Sequence, residues 1–303
     1  MRVFLKRVCV FFAAAFLIVD MFLIVLYFQA RKDFSLLSDN MVKNTLEYYK
    51  SSGVEINENV IQHSIPMNPI YTFDSSNMDC APYVAEKLAS KMFFSGMSVS
   101  FVETPNGISY SLSDSEGIRA SFRVYKDVFA FEYSADEFSK ENAPLILAEV
   151  YENAGVELQS SIRKNIDKFT KAISTSADSE YKVDNVMKTN IGTIVNISQL
   201  ADKSYPINDM YMNMLFKENR LVYAEGNWIL GDIKKSYNEQ LTDGINALNK
   251  IDISTMSKVI SEEITYMYRN SGRGQYYLVP VWKIEYIDTN GTPKTQYIDA
   301  IKS

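Results

Sequence analysis

The chain has one histidine, His63, and two cysteines, Cys9 and Cys80. A zinc site needs clustered His and Cys ligands, and an imidazole relay needs a nucleophile beside a His that a third group orients. Neither has enough parts here, and His63 reads as a surface residue of an extended segment. Two fragments carry the spacing of penicillin-binding enzymes: Ser161-Ile162-Arg163-Lys164, and Ser38-Asp39-Asn40 as its partner motif. That machinery needs the nucleophile fragment first and a Lys-Thr-Gly strand last. Here the order is reversed and Lys188-Thr189-Asn190 lacks the glycine, so the fragments predict a solvated helix face and a helix cap. Gly272-Arg273-Gly274 reads as a turn, because a phosphate cradle needs more glycine and a helix directly after it. Glu262 and Glu263 are adjacent, so they are expected on different sides of a helix and not as an acid–base pair. Two sequons, Asn196-Ile197-Ser198 and Asn290-Gly291-Thr292, complete the motifs. The expectation is a noncatalytic protein with no cofactor and no metal.

One residue breaks a rule. Val8 to Phe28 runs for 21 residues with Asp20 as its single charge. At about 1.5 Å rise per residue this run reaches about 30 Å, enough to cross a membrane as one helix. A cleaved signal peptide has a shorter apolar region with small residues behind it. Here Ala13, Ala14 and Ala15 sit inside the run and its exit reads Tyr27-Phe28-Gln29-Ala30, so the anchor is expected to be retained. Arg2, Lys6 and Arg7 precede the run, while Arg31 and Lys32 beyond it are offset by Asp33. The loop-cation rule therefore places residues 1–7 in the cytoplasm, 8–28 in the membrane and the remainder outside. An ionised carboxylate near the centre of such a helix costs about 2.5 to 3.5 kcal/mol on insertion scales, so it faces protein or a cavity, or it keeps its proton. Cys9, Ala13, Phe16, Asp20, Leu23 and Tyr27 follow one another at spacings of four and three. Ala13, Phe16, Asp20, Leu23 and Tyr27 form the candidate interface with a partner helix. The alternative is a protonated Asp20 in lipid and a coincidental stripe.

The elements beyond the anchor read as an α+β fold. The 275 residues after Phe28 exceed a typical domain of about 100 to 150 and predict two packed lobes, 29–157 and 158–303, each of antiparallel sheet with flanking helices. This exterior part carries 28 cations against 36 acids, a formal charge of −8. That balance argues against nucleic acid as a partner. Cys9 and Cys80 are too far apart in this layout for a disulfide. Apolar spacing between the Ser38 cap and Gly53 predicts a helix over 39–51. Residues 54–65 read as extended and 82–94 as a second helix. From Met97 the period falls to two, with Asn106-Gly107, Glu116-Gly117 and Lys126-Asp127 as turns, which predicts a meander. A helix over 143–153 and a helical connection over 158–173 follow. Strands are expected near 181–199, 211–217 and 220–230, helices near 237–249 and 254–262, and strands at 264–268, 276–287 and 295–301, the last two joined by the turn Asp288-Thr289-Asn290-Gly291.

The run Phe16-Leu17-Ile18-Val19-Asp20-Met21-Phe22-Leu23, followed by a helix and Gly53-Val54-Glu55-Ile56, resembles the YycI family. Similar too are Tyr205-Pro206-Ile207, Leu215-Phe216, Leu278-Val279-Pro280-Val281-Trp282-Lys283 and Tyr297-Ile298-Asp299-Ala300. The resemblance implies a Gram-positive membrane regulator that joins the YycG (WalK) sensor histidine kinase and the sister regulator YycH. It implies control of cell-wall metabolism through transmembrane and extracytoplasmic contacts, without catalysis by the regulator. Asp20 stands where the resemblance places a polar residue in the anchor. Pro280 and Trp282 are expected to be structural, with Trp282 in the core. A second reading is an anchored module that binds a peptide or wall fragment in an aromatic groove or along an exposed sheet edge.

Overall fold

The computed structural model describes residues 16, 19–24, 37–62, 67–73, 76–92, 97–126, 129–135, 156–175, 180–202, 205–270 and 276–301. Cys9, Ala13, Tyr27, His63, the expected helix over 143–153 and Gly272-Arg273-Gly274 lie outside these residues. The fold is α+β, mostly a large antiparallel sheet with a few helices. Phe16 and 19–24 are helical, and among the described residues no helix is long and apolar enough to cross a membrane.

Two compact units divide the chain: Met1–Asn68, Glu239–Glu263 and Trp282–Ser303 form unit 1, and Pro69–Asn238 and Ile264–Val281 form unit 2. Unit 1 begins its described body with helix α1, Asp39–Ser51. Ser38 caps it by accepting the Met41 N–H at 3.3 Å, with Asp39 in the first turn and Lys50 in the last. Gly53 at φ 82° ends it. The Gly53 N–H donates to Lys50 O at 3.1 Å and the Val54 N–H to Tyr49 O at 2.9 Å, the paired closure that a left-handed glycine permits. The chain then bridges to the strand that opens at Met256: the Glu55 N–H donates to Ser257 O and the Val259 N–H to Glu55 O, both at 2.9 Å. After a 3₁₀ turn at Glu58–Val60, Ile61 packs with Leu37, Val42 and Ile245.

The rest of unit 1 departs from the expected helices near 237–249 and 254–262. The first is limited to a short helix, Gly244–Leu248, capped by Asp243, and the second is a 3₁₀ turn at Ile253–Thr255 running into a strand from Met256 to Asn270. Met256, Val259 and Glu262 are buried at intervals of three, which imitates a helix in the sequence. The bridge to Glu55, distant in sequence, extends the backbone instead. Trp282 is fully buried and its indole N–H donates to Thr242 O at 3.0 Å, while the Thr242 N–H donates to Ala300 O at 2.7 Å. The turn at 288–291 forms as read: the Asp288 carboxylate accepts the N–H groups of Asn290 and Thr292 at 2.9 and 2.8 Å.

Unit 2 holds the meander: β2 Ser98–Thr104, β3 Gly107–Asp114, β4 Gly117–Tyr125 and β5 Ala130–Ala135, following β1 Met67–Phe73 and helix α2 Asn77–Met92. Helix α3, Ser160–Ile173, precedes β6 Tyr181–Thr189, β7 Gly192–Asp202, β8 Tyr205–Lys217 and β9 Arg220–Asn227. The stretch read as one strand over 181–199 is thus a hairpin, turning at Asn190-Ile191. Neighbouring strands run β9–β5–β4–β3–β2, with β7 on the other edge of β8 and β6 beyond it. One face is apolar: Tyr110, Phe122, Tyr133, Ala224, Met214, Val195 and Val186 lie in one cross-strand row. Val84, Leu88, Ile166 and Phe169 of α2 and α3 pack in the same cluster. The opposite face carries the adjoining row Ser100, Ser111, Ser121 and Ser134. Alternation along the strands therefore sets which side the helices cover.

Candidate functional site

Two arrangements combine polar side chains with enclosure, one in each unit. Unit 1 holds Glu262, on the strand β10, Met256–Asn270, and it is 8 % exposed although it is a carboxyl group. Its carboxyl lies against the α-carbon of Gly244, where a Cβ would overlap Oε1. Asp243, also buried, is committed to its cap: Oδ1 accepts the Asn246 N–H at 2.8 Å and Oδ2 the Asn246 amide at 2.6 Å. Neither Glu262 oxygen receives a hydrogen bond of normal geometry, and the neighbouring Gln62 has its Oε1 buried without a partner. Burial pushes the Glu262 pKa up to about 8, the nearby Gln62 N–H opposes the shift, and the negative charge of Asp243 adds to it. The Gln62 N–H is therefore close enough to be felt but too poorly aligned to satisfy the oxygen.

Tyr49 on α1 is the fourth member. It is 1 % exposed, and burial pushes its phenol up to about 12, with Tyr48 and Glu262 adding to the shift. A carboxyl enclosed against a glycine α-carbon, with a second carboxylate near it, keeps its proton near neutral pH, because the charged form has neither water nor a well-formed donor. The sequence reading places Glu262 and Glu263 on different sides of a helix. In the strand the two do point to opposite sides: Glu263 is exposed and meets Lys283 at 3.1 Å, while Glu262 faces in. No signal in the local sequence separates them, since Gly244, Gln62 and Tyr49 come from elsewhere in the chain.

In unit 2 the second arrangement lies on the polar face of the meander. Glu132 and Glu225 are directly opposite in register. Tyr125 donates its hydroxyl to Glu132 at 2.7 Å and Tyr223 to Glu225 at 2.6 Å. Burial, then the bond to Glu225, pushes the Tyr223 phenol up. Asn213 continues the row and accepts the Asn196 amide at 2.6 Å. Asn196 of the first sequon is thus inside a strand and hydrogen-bonded. Facing acids of like charge cost stability on a sheet, and the two phenol donors offset part of it. Among the described residues no group of three His, Cys, Asp or Glu is placed to hold a metal.

Of the expected anchor interface, Phe16, Asp20 and Leu23 are described: all three are helical and exposed, with Phe16 at 67 % and Leu23 at 56 %. Their spacings of four and three place them on one helix face. Ala13 and Tyr27 lie outside the described residues. Ser161 and Lys164 are on α3 with Lys164 exposed, and Ser38-Asp39-Asn40 opens α1, as the helix-face and cap readings require.

No family model matches the chain, and no curated protein matches it. Among solved structures it is similar to an uncharacterized protein from Eubacterium rectale, at 12 % identity and a TM-score of 0.45, over 82 % of this chain and 87 % of that one. It is also similar to the Bacillus megaterium YpeB C-terminal domain, at 10 % identity and a TM-score of 0.35, over 76 % of this chain and 95 % of that domain.

Proposed function

We propose that this chain is a noncatalytic, single-pass membrane regulator that associates with a sensor histidine kinase of the YycG (WalK) type, alongside a YycH-like sister regulator, and modulates signalling that governs cell-wall metabolism. The observation that carries the reading is the exposed helical stretch at the amino-terminal end. Phe16, Val19, Met21, Phe22, Leu23 and Ile24 are each more than half exposed, and Asp20 sits among them. An apolar helix surface of this kind needs lipid or another protein around it. A carboxyl within it needs a polar partner or a proton. The apolar run of 21 residues and the basic residues before it supply the membrane half of the argument. The resemblance to the YycI family supplies the kinase.

A regulator of this sort shifts a two-state kinase only by the difference in its affinity for the two states. Asp20→Leu is expected to leave membrane insertion intact and to cut the kinase recovered with the tagged protein about tenfold, the equivalent of roughly 1.4 kcal/mol. Detergent pull-down with quantitative mass spectrometry reads the result, beside kinase output in cells. Equal recovery and equal output from the two proteins would remove Asp20 from the interface.

The paired Tyr–Glu contacts of unit 2 favour one second reading, an anchored module that binds a peptide or wall fragment on its polar sheet face. Titration with muropeptides separates the two. Chemical-shift changes confined to residues around Glu132 and Glu225, with no kinase in the pull-down, would place the function there.

A further inference from the structure

We propose that Glu262 is a proton-controlled latch on α1: the neutral acid is the form that unit 1 encloses, and loss of its proton loosens the docking of the helix that follows the apolar amino-terminal segment. The inference needs no particular partner and stands whether or not a kinase is involved.

Three features of unit 1 converge on this carboxyl. The first is enclosure: Glu262 is 8 % exposed and neither oxygen has a well-formed donor. An ionised carboxylate left so is the costliest group a core can hold, whereas a neutral acid is tolerated and can donate its own proton. Gln62 Oε1 nearby is a buried acceptor lacking a donor. The second is what faces it. Gln62 comes from the segment after the 3₁₀ turn and Asp243 and Gly244 from the short capped helix, while Tyr49 of α1 lies within electrostatic range. The negative charge of Asp243 opposes ionisation, and the cations nearby are committed elsewhere: Lys258 to Glu55, and Lys283 of the strand Tyr276–Asp288 to Glu263 and Glu285. The third is connection. Tyr49 occupies the last turns of α1, and its carbonyl accepts the Val54 N–H that ends the helix. The next residue, Glu55, bridges to β10 at Lys258, four positions before Glu262. A carboxylate that leaves this pocket displaces Gly244 or Gln62, whose neighbours Ile245 and Ile61 pack with Val42 of α1, so its exit and the seating of α1 are coupled.

The direction follows from linkage. The proton is held more tightly in the docked state, so docking is strongest in acid and weakens as pH rises toward about 8, then levels off. Across that range the open population of α1 is expected to rise about tenfold for each pH unit. Hydrogen exchange of the full-length protein in nanodiscs, corrected for intrinsic rates, measures it between pH of about 6 and about 9. The wild type should lose protection over 42–51 along this course. Glu262→Gln, which mimics the neutral acid, should stay protected and flat, and Glu263→Gln, on the exposed side, should follow the wild type. An identical profile in wild type and Glu262→Gln overturns the latch. So does loss of α1 protection in Glu262→Gln at the acid end. If that variant fails to fold, infrared spectroscopy of the wild type decides: the carbonyl stretch of a protonated carboxyl, present at pH 7 and lost above about pH 8, supports the proposal, and its absence at pH 7 ends it.

Discussion

Replacing Asn77 with Leu should destabilise unit 2 by roughly 3 to 5 kcal/mol, more than any single core truncation of similar size, because it strands backbone groups that have no route to water. Asn77 is 1 % exposed at the start of α2. Its amide donates to Trp228 O at 2.6 Å and to Phe129 O at 3.2 Å, and its carbonyl oxygen accepts the Leu230 N–H at 2.9 Å. Trp228 and Leu230 lie where the chain leaves the sheet after β9 and runs through the core, and Phe129 directly precedes β5. Phe129 O also accepts the Trp228 N–H at 3.0 Å and would keep that bond. Trp228 O and the Leu230 N–H would lose the Asn77 amide. Gln199 makes the same kind of staple one residue away, donating to Ile229 O at 3.0 Å and accepting the Ile229 N–H at 2.9 Å. Trp228 O, both backbone groups of Ile229 and the Leu230 N–H are therefore satisfied by side-chain amides instead of a neighbouring strand. The chain has two tryptophans, Trp228 in unit 2 and Trp282 in unit 1. Urea unfolding followed by fluorescence in a Trp282→Phe background therefore reads the affected unit directly. A midpoint unchanged by Asn77→Leu would show that the 228–230 crossing finds other partners.

Both staples also mark where sequence reasoning stops. The helix over 39–51 was legible residue by residue because its determinants are local: the Ser38 cap, the apolar spacing and Gly53. The meander was legible for the same reason, since alternation and the Asn106-Gly107 and Glu116-Gly117 turns fix register within a few residues. Polar residues whose burial depends on partners far along the chain were not. Asn77 bonds residues 151 and 153 positions away. Glu262 is enclosed against Gly244 with Gln62 and Asp243 near it, and its segment reads as a helix until the bridge to Glu55 is known. The acid that does stand out in the sequence, Asp20, stands out because its whole neighbourhood is apolar and contiguous. Local context makes an odd residue visible; distant context makes it important without showing it.

Gly244→Ala should cost unit 1 about 2 to 4 kcal/mol, and the loss should vanish when Glu262 is shortened. A Cβ at Gly244 would occupy the place of the Glu262 carboxyl. The end of a flexible side chain ordinarily moves aside cheaply. Here the carboxyl is enclosed with Gln62 and Asp243 near it, so moving means displacing packed groups or reaching water. Gly244 has no need of a positive φ, and the five-residue helix Gly244–Leu248 gains from alanine's helix propensity, so backbone terms favour the substitution by up to about 1 kcal/mol. Any destabilisation is then the carboxyl's. A double-mutant cycle isolates it: Glu262→Ala opens the space a Cβ needs, while Glu262→Gln keeps the clash at equal volume. The expected coupling between Gly244→Ala and Glu262→Ala is about 2 kcal/mol or more, and near zero with Glu262→Gln. Trp282 fluorescence in a Trp228→Phe background follows unit 1, and the Phe is mild because the Trp228 indole N–H has no partner to lose. Additive effects of Gly244→Ala and Glu262→Ala would mean that the carboxyl yields freely, and a carboxyl that yields freely cannot hold α1 in place.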